Sequence, residues 1–169
     1  EWHTKLPNCE SGGNFCAGIN ELLLRSPSGN SAGRPLIRVF PAIVEAWRDV
    51  HICRLRAQGA FLMTAERRDG RTAYVLIESE AGADCQLANP WPGQAVSVVC
   101  GKESLSYEID ADIISFATQA GQTYAVCPAD STLNDLEMIE LAGSKEDRHR
   151  LGIDGPFAAM SWRDFDPAL

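Results

Sequence analysis

The chain has 169 residues, 45% hydrophobic and 22% charged, the balance of one packed domain rather than a disordered polymer. With 15 basic and 23 acidic residues its formal charge is −8, so it lacks the basic face from which nucleic-acid binding starts. Apolar runs such as residues 95–100 break after a few positions, too short for a membrane-spanning helix. Neither a nucleic acid nor a membrane is an expected partner.

The first residues, Glu1, Trp2, His3, Thr4 and Lys5, contain no initiator Met and no basic-then-apolar leader, and read as the start of a processed or excised fragment. Ile19, Leu22 and Leu23 recur at i, i+3 and i+4, which predicts a helix over residues 19–25 that Ser26-Pro27 stops. Residues 28–33, rich in Ser and Gly, form a connector. Residues 36–40 predict a short strand ended by Pro41, and residues 41–47 one helical turn. Residues 51–56 follow as a strand. The strongest local signal comes next: residues 61–68 and 71–78 flank Asp69-Gly70, and both central residues of a type I′ turn need positive φ. Further strands are predicted at 85–87, 95–100, 104–109, 113–118 and 123–127, separated by Pro-, Gly- and Asp-rich turns.

Seven or more short strands at roughly regular spacing predict an all-β fold, an antiparallel β-sandwich with a short N-terminal helix and a partly irregular C-terminal tail. The expected organisation is helix and connector at 1–33, sandwich at 34–128, and a C-terminal extension at 129–169 that packs on it. That extension carries a possible strand at 136–141, a polar run at 144–150, and Phe157, Trp162 and Phe165 to bury or to bind with.

Six cysteines are an even number. An oxidised framework would favour Cys9–Cys16 or Cys100–Cys127. Cys53, Cys85, Cys100 and Cys127 nevertheless sit in apolar, strand-like runs where a thiol behaves as a small buried hydrophobe. No CxxC pair, HExxH, GxSxG, phosphate loop or dinucleotide fingerprint is present. His51 and Cys53 alternate on one strand and imitate a Cys–His pair, but no orienting third group accompanies them. Glu66, Glu78, Glu80 and Glu103 read as solvent-facing strand positions. Glu108, Asp110 and Asp112 could ligate calcium, though a polar turn needs no metal. Neither a catalytic residue nor a cofactor is predicted.

Several stretches carry a resemblance: Leu22 to Ser26, Leu36 to Ala42, Ala46 to Val50, Leu55 to Phe61, Asp69-Gly70, Ile77 to Ser79 and Gly82 to Leu87. In this order and spacing they resemble the late segment of glycoside hydrolase family 95 and its relatives, over roughly residues 12–127. Those enzymes have an (α/α)6 catalytic barrel followed by a small C-terminal β-sandwich. The resemblance implies that residues 12–26 echo the last barrel helix and that residues 34–127 form the sandwich. The family's catalytic residues lie upstream, so none carries over. Gln58-Gly59-Ala60-Phe61 departs mildly from the family's glycine-rich stretch, and residues after Pro128 have no counterpart in it.

The resemblance implies an accessory domain of a secreted or periplasmic polysaccharide-degrading enzyme, and the expected function is non-catalytic carbohydrate binding that holds the catalytic module near a plant-type glycan. The expected partners are a polysaccharide or oligosaccharide and a catalytic glycosidase module in the same parent chain. Sugar recognition needs flat aromatic rings with a few fixed polar groups. Trp91, between Pro90 and Pro92, is the first candidate, with a buried loop plug as the competing reading. Trp162 follows, against an anchoring role for the tail. Tyr107 and Tyr74 complete the set, against packing on a sheet face. Trp47 is read as core. The alternative function is a structural domain that packs on the barrel and binds no sugar, with residues 22–24 in the contact.

Overall fold

The computed structural model describes residues 9–27 and 34–131, with side chains from residue 12 onward. Among the described residues one helix, α1 (Cys9–Leu23), precedes eleven strands. In chain order they are β1 (Leu24–Arg25), β2 (Arg38–Val39), β3 (Val50–Ala57), β4 (Phe61–Arg68), β5 (Arg71–Ser79), β6 (Cys85–Ala88), β7 (Val96–Cys100), β8 (Glu103–Ser104), β9 (Glu108–Asp110), β10 (Ile113–Phe116) and β11 (Gln122–Pro128).

The strands form a six-stranded sheet ordered β3-β4-β5-β11-β7-β8, a three-stranded sheet β6-β10-β9 and a small β1-β2 pair. Their ladders are antiparallel. A parallel bridge at Ile37 and Leu87 ties the N-terminal segment to the three-stranded sheet. Alternation explains the layering. Phe61, Met63 and Ala65 on β4, Val75 and Ile77 on β5, Val96 and Val98 on β7, and Tyr124 and Val126 on β11 all face one way. They meet Cys85, Leu87, Ile114 and Phe116 of the three-stranded sheet in one buried core. The architecture is an all-β sandwich.

Asp69 (φ 49°) and Gly70 (φ 79°) make the expected tight turn between β4 and β5. A second turn of this kind, Ala111 (φ 44°) and Asp112 (φ 64°), joins β9 to β10, so the acidic triplet Glu108, Asp110 and Asp112 serves a hairpin and all three side chains are exposed. Among the described residues, no group of three or more His, Cys, Asp or Glu is arranged to hold a metal ion. No described helix is long and apolar enough to cross a membrane.

The helix is longer than the apolar spacing predicts, beginning at Cys9 rather than near residue 19. Gly12, Gly13 and Gly18 lower its intrinsic propensity and hide its first turns from a pattern search. Residues 41–47 form turns, not a helical turn. The strand expected over 104–109 is two short strands, because the 105–107 stretch leaves the sheet at Leu105 and carries Tyr107. The connector 28–33, Phe157 and the other expectations for residues 132–169 lie outside the described residues.

Candidate functional site

Trp91 is a plug, not a platform. Its ring is 4% exposed and belongs to the central core. The side chain of Asn89 accepts the Trp91 backbone N–H at 2.9 Å, which folds the Pro-flanked loop inward. The indole N–H donates to the Thr72 carbonyl at 2.6 Å, so the polar end of the ring is satisfied inside. Tyr107 is half-buried, packs on the core and donates its hydroxyl to the Val96 carbonyl at 2.7 Å. Tyr74 is also buried. Trp162 lies outside the described residues. The three described aromatics are therefore not gathered into one exposed face.

Tyr74 sits in a polar cluster. Its hydroxyl donates to Glu66 Oε2 at 3.0 Å, and Arg68 Nε donates to the other carboxylate oxygen. Glu66 is 1% exposed, not solvent-facing; a carboxylate can be held there because both oxygens have donors. Burial first, then the Glu66 hydrogen bond, pushes the Tyr74 phenol up to about 12. Glu78 is partly exposed and Glu80, just past β5, is exposed, in keeping with the solvent-facing expectation, and they bond to Arg54 and Arg56 at 2.5 Å each. Hydrogen bonding from Arg56 holds the Glu80 carboxyl below its ordinary range. Cys16, Cys53, Cys85, Cys100 and Cys127 are free thiols, so Cys100–Cys127, the second expected pairing, is not bridged, while the Cys9 side chain of the first lies outside the described ones. The second pairing is barred by parity. Cys100 lies opposite Tyr124 on the core face, while Cys127 lies opposite Ser97 on the other. Burial pushes the Cys85 thiol up to about 12, which makes it a poor nucleophile.

The described tryptophan that meets solvent is Trp47, at 37% exposure, and reading it as core is corrected here. It lines an open hollow of about 580 Å³ with Leu23, Ala46, Arg48, Asp49, Val50 and His51. The surrounding turns hold it out: the Trp47 N–H donates to the Val44 carbonyl at 3.0 Å. The polar groups beside it are largely committed to the β4–β5 turn. Arg48 Nη2 reaches the Asp69 carbonyl at 3.4 Å, the Arg48 carbonyl accepts the Gly70 N–H at 2.9 Å, and Asp49 Oδ1 accepts the Asp69 N–H at 2.8 Å. Val44 is exposed nearby in sequence, and Phe15 on α1 is 69% exposed. Phe15, Ile19 and Leu22 fall on one helix face, and Leu23 at the helix end lines the hollow with Trp47.

These features define a β-sandwich with a buried core and an apolar outer surface on its N-terminal side. The profile of the glycoside hydrolase family 95 C-terminal domain matches residues 32–126, and the chain belongs to that family. No curated protein matches the chain. Among solved structures, one similar chain is described as a family 39 glycoside hydrolase from the gut symbiont Bacteroides cellulosilyticus WH2. Its TM-score is 0.38 at 11% identity, and the match covers 50% of this chain and 17% of that one.

Proposed function

We propose that this chain is a non-catalytic accessory domain that seats against the catalytic module of its parent glycoside hydrolase through the α1–Trp47 surface. The observation that carries this reading is Trp47, exposed beside Leu23 in a hollow where Arg48 and Asp49 already bond to the β4–β5 turn and His51 Nε2 is the lining nitrogen without a partner among the described residues. A surface meant for sugar keeps hydrogen-bonding groups free around its ring, whereas one meant for protein presents apolar area and needs few. Phe15 extends that area along α1, roughly 12 Å from Leu23 at 1.5 Å per residue. Family membership supplies the context of a larger glycosidase. Secretion or export to the periplasm, suited to polysaccharide substrates, belongs to the same proposal.

Glycan binding is the second reading. With Trp91 and Tyr74 buried, its support among the described residues is the Trp47 indole bordered by Arg48, Asp49 and His51.

The test is made in the intact parent enzyme. Phe15→Ala with Trp47→Ala should split one cooperative thermal transition into two, while this chain alone keeps its own midpoint. A parent that melts as before would remove the α1–Trp47 surface from the contact.

A further inference from the structure

We propose that Arg67 receives a carboxylate side chain of the parent enzyme's catalytic module and so forms the polar centre of the α1–Trp47 contact. This inference rests on that contact being the domain's function, and adds the chemistry that fixes its register. Among the described residues, the buried side-chain nitrogens without a hydrogen-bond partner are Arg67 Nε and His51 Nε2. Both adjoin Val50, which lines the Trp47 hollow: His51 follows it in the chain, and Arg67 is its register partner on β4. Folded domains satisfy nearly all their buried polar groups. Two exceptions beside one residue mark a place that is completed from outside.

Arg67 is the stronger of the two, because it carries a fixed charge. Alternation on β4 sets it on the core side after Phe61, Met63 and Ala65, in a row with Val50 and Thr72, where the core ends. His51 faces the other way, opposite Glu66 on the outer face of the sheet. The Arg67 guanidinium reaches the β4–β5 turn, where a Cβ on Gly70 would stand 3.7 Å from Nη2. The acids around it are engaged elsewhere. Asp49 accepts the Asp69 N–H at 2.8 Å, Asp69 lies 3.6 Å from Arg48, and Glu66 holds Tyr74 and Arg68. Arg25, Arg34, Arg48, Arg54, Arg56 and Arg68 each have a carboxylate. Arg38 and Arg71 are exposed to water. Arg67 is partly buried and has no described carboxylate.

A guanidinium presents five donors in a planar fork and no acceptor, and a carboxylate takes two of them in parallel. The source is a protein side chain. Trp47, Leu23 and Val50 surround the site with apolar area, as at the core of a protein contact. A polyuronate would bring repeated negative charge to a chain of formal charge −8, with Asp49 and Asp69 beside the site.

The test compares Arg67→Met in the intact parent enzyme with the same substitution in this chain alone. In the parent it should lower this domain's thermal midpoint by about 4 °C, because the module's carboxylate loses its partner. In the chain alone the midpoint should stay or rise, since an unpaired cation leaves a partly buried position. Arg67→Lys keeps the charge without the fork, so its effect in the parent should be smaller; it carries the same contrast if Arg67→Met does not fold. An equal fall in both settings would make Arg67 a packing residue of the domain and overturn the proposal. A parent indifferent to both substitutions would overturn it too. If Phe15→Ala with Trp47→Ala still uncouples that parent, the contact stands and only the part given to Arg67 falls. Retardation of this chain by polygalacturonate in a gel, lost in Arg67→Met, would assign the guanidinium to an acidic glycan and overturn it equally.

Discussion

Single side chains decide whether this domain displays its aromatic residues or buries them. Trp91 is fixed by two hydrogen bonds and by the core around it. Trp91→Ala should therefore cost stability, about 3–5 kcal/mol as expected for a large aromatic removed from a core, measured by urea unfolding. A loss below 1 kcal/mol would contradict its role as a plug. Tyr74 offers a test in pH. Its phenol titrates near 10 when unfolded and is pushed up to about 12 in the fold. Below pH 10 both states keep the proton and this contribution is fully present. As pH rises from 10 towards 12 the unfolded chain ionises first, so stability falls across that window. Tyr74→Phe should remove this alkaline component. At neutral pH it should also cost about 1–3 kcal/mol, because the buried Glu66 loses one donor. Unfolding free energies at pH 9, 10 and 11 for both proteins would show it, and an unchanged slope would count against the buried cluster.

Among the elements, the β4–β5 hairpin was the most legible in the sequence, because Asp69-Gly70 encodes a turn that few other pairs can make. Gly70→Ala keeps the fold but places a Cβ at φ 79°, and should lower stability by about 1 kcal/mol; no change would mean the turn relaxes freely. The helix was half legible. Its apolar spacing showed near the C-terminal end, while three glycines masked the start. The sequence left Trp91 open between a sugar platform and a buried plug, because the inward loop is fixed by Asn89 and by the Thr72 carbonyl, contacts that only tertiary structure brings together. Glu66 misled for the opposite reason. Strand alternation does place it on the outer face, but alternation says nothing about whether that face is wet. The free Cys100 and Cys127 thiols could have been anticipated from strand parity once the register was known, and the register is what the sequence withholds. Trp47 was misjudged because residues 41–47 resemble a helical turn with an inner side, and the chain instead makes turns that hold the indole out.

At the scale of the whole molecule, the antiparallel sandwich and its family were both readable from the order of short strands and motifs. The surface that relates this domain to its surroundings was not, since it depends on which apolar residues fail to find a partner inside. Among the described residues those are Phe15, Val44 and Trp47 on the N-terminal side and Ile109 on β9, and the account assigns the first three to protein contact. The most direct measurement is affinity electrophoresis of this chain, and of Trp47→Ala, through gels containing soluble plant polysaccharides, with an inert protein as reference. The account predicts that both migrate as the reference does in every glycan. Retardation of the unmodified chain by one glycan class, abolished by Trp47→Ala in a protein that still folds, would contradict it and make the hollow a sugar site.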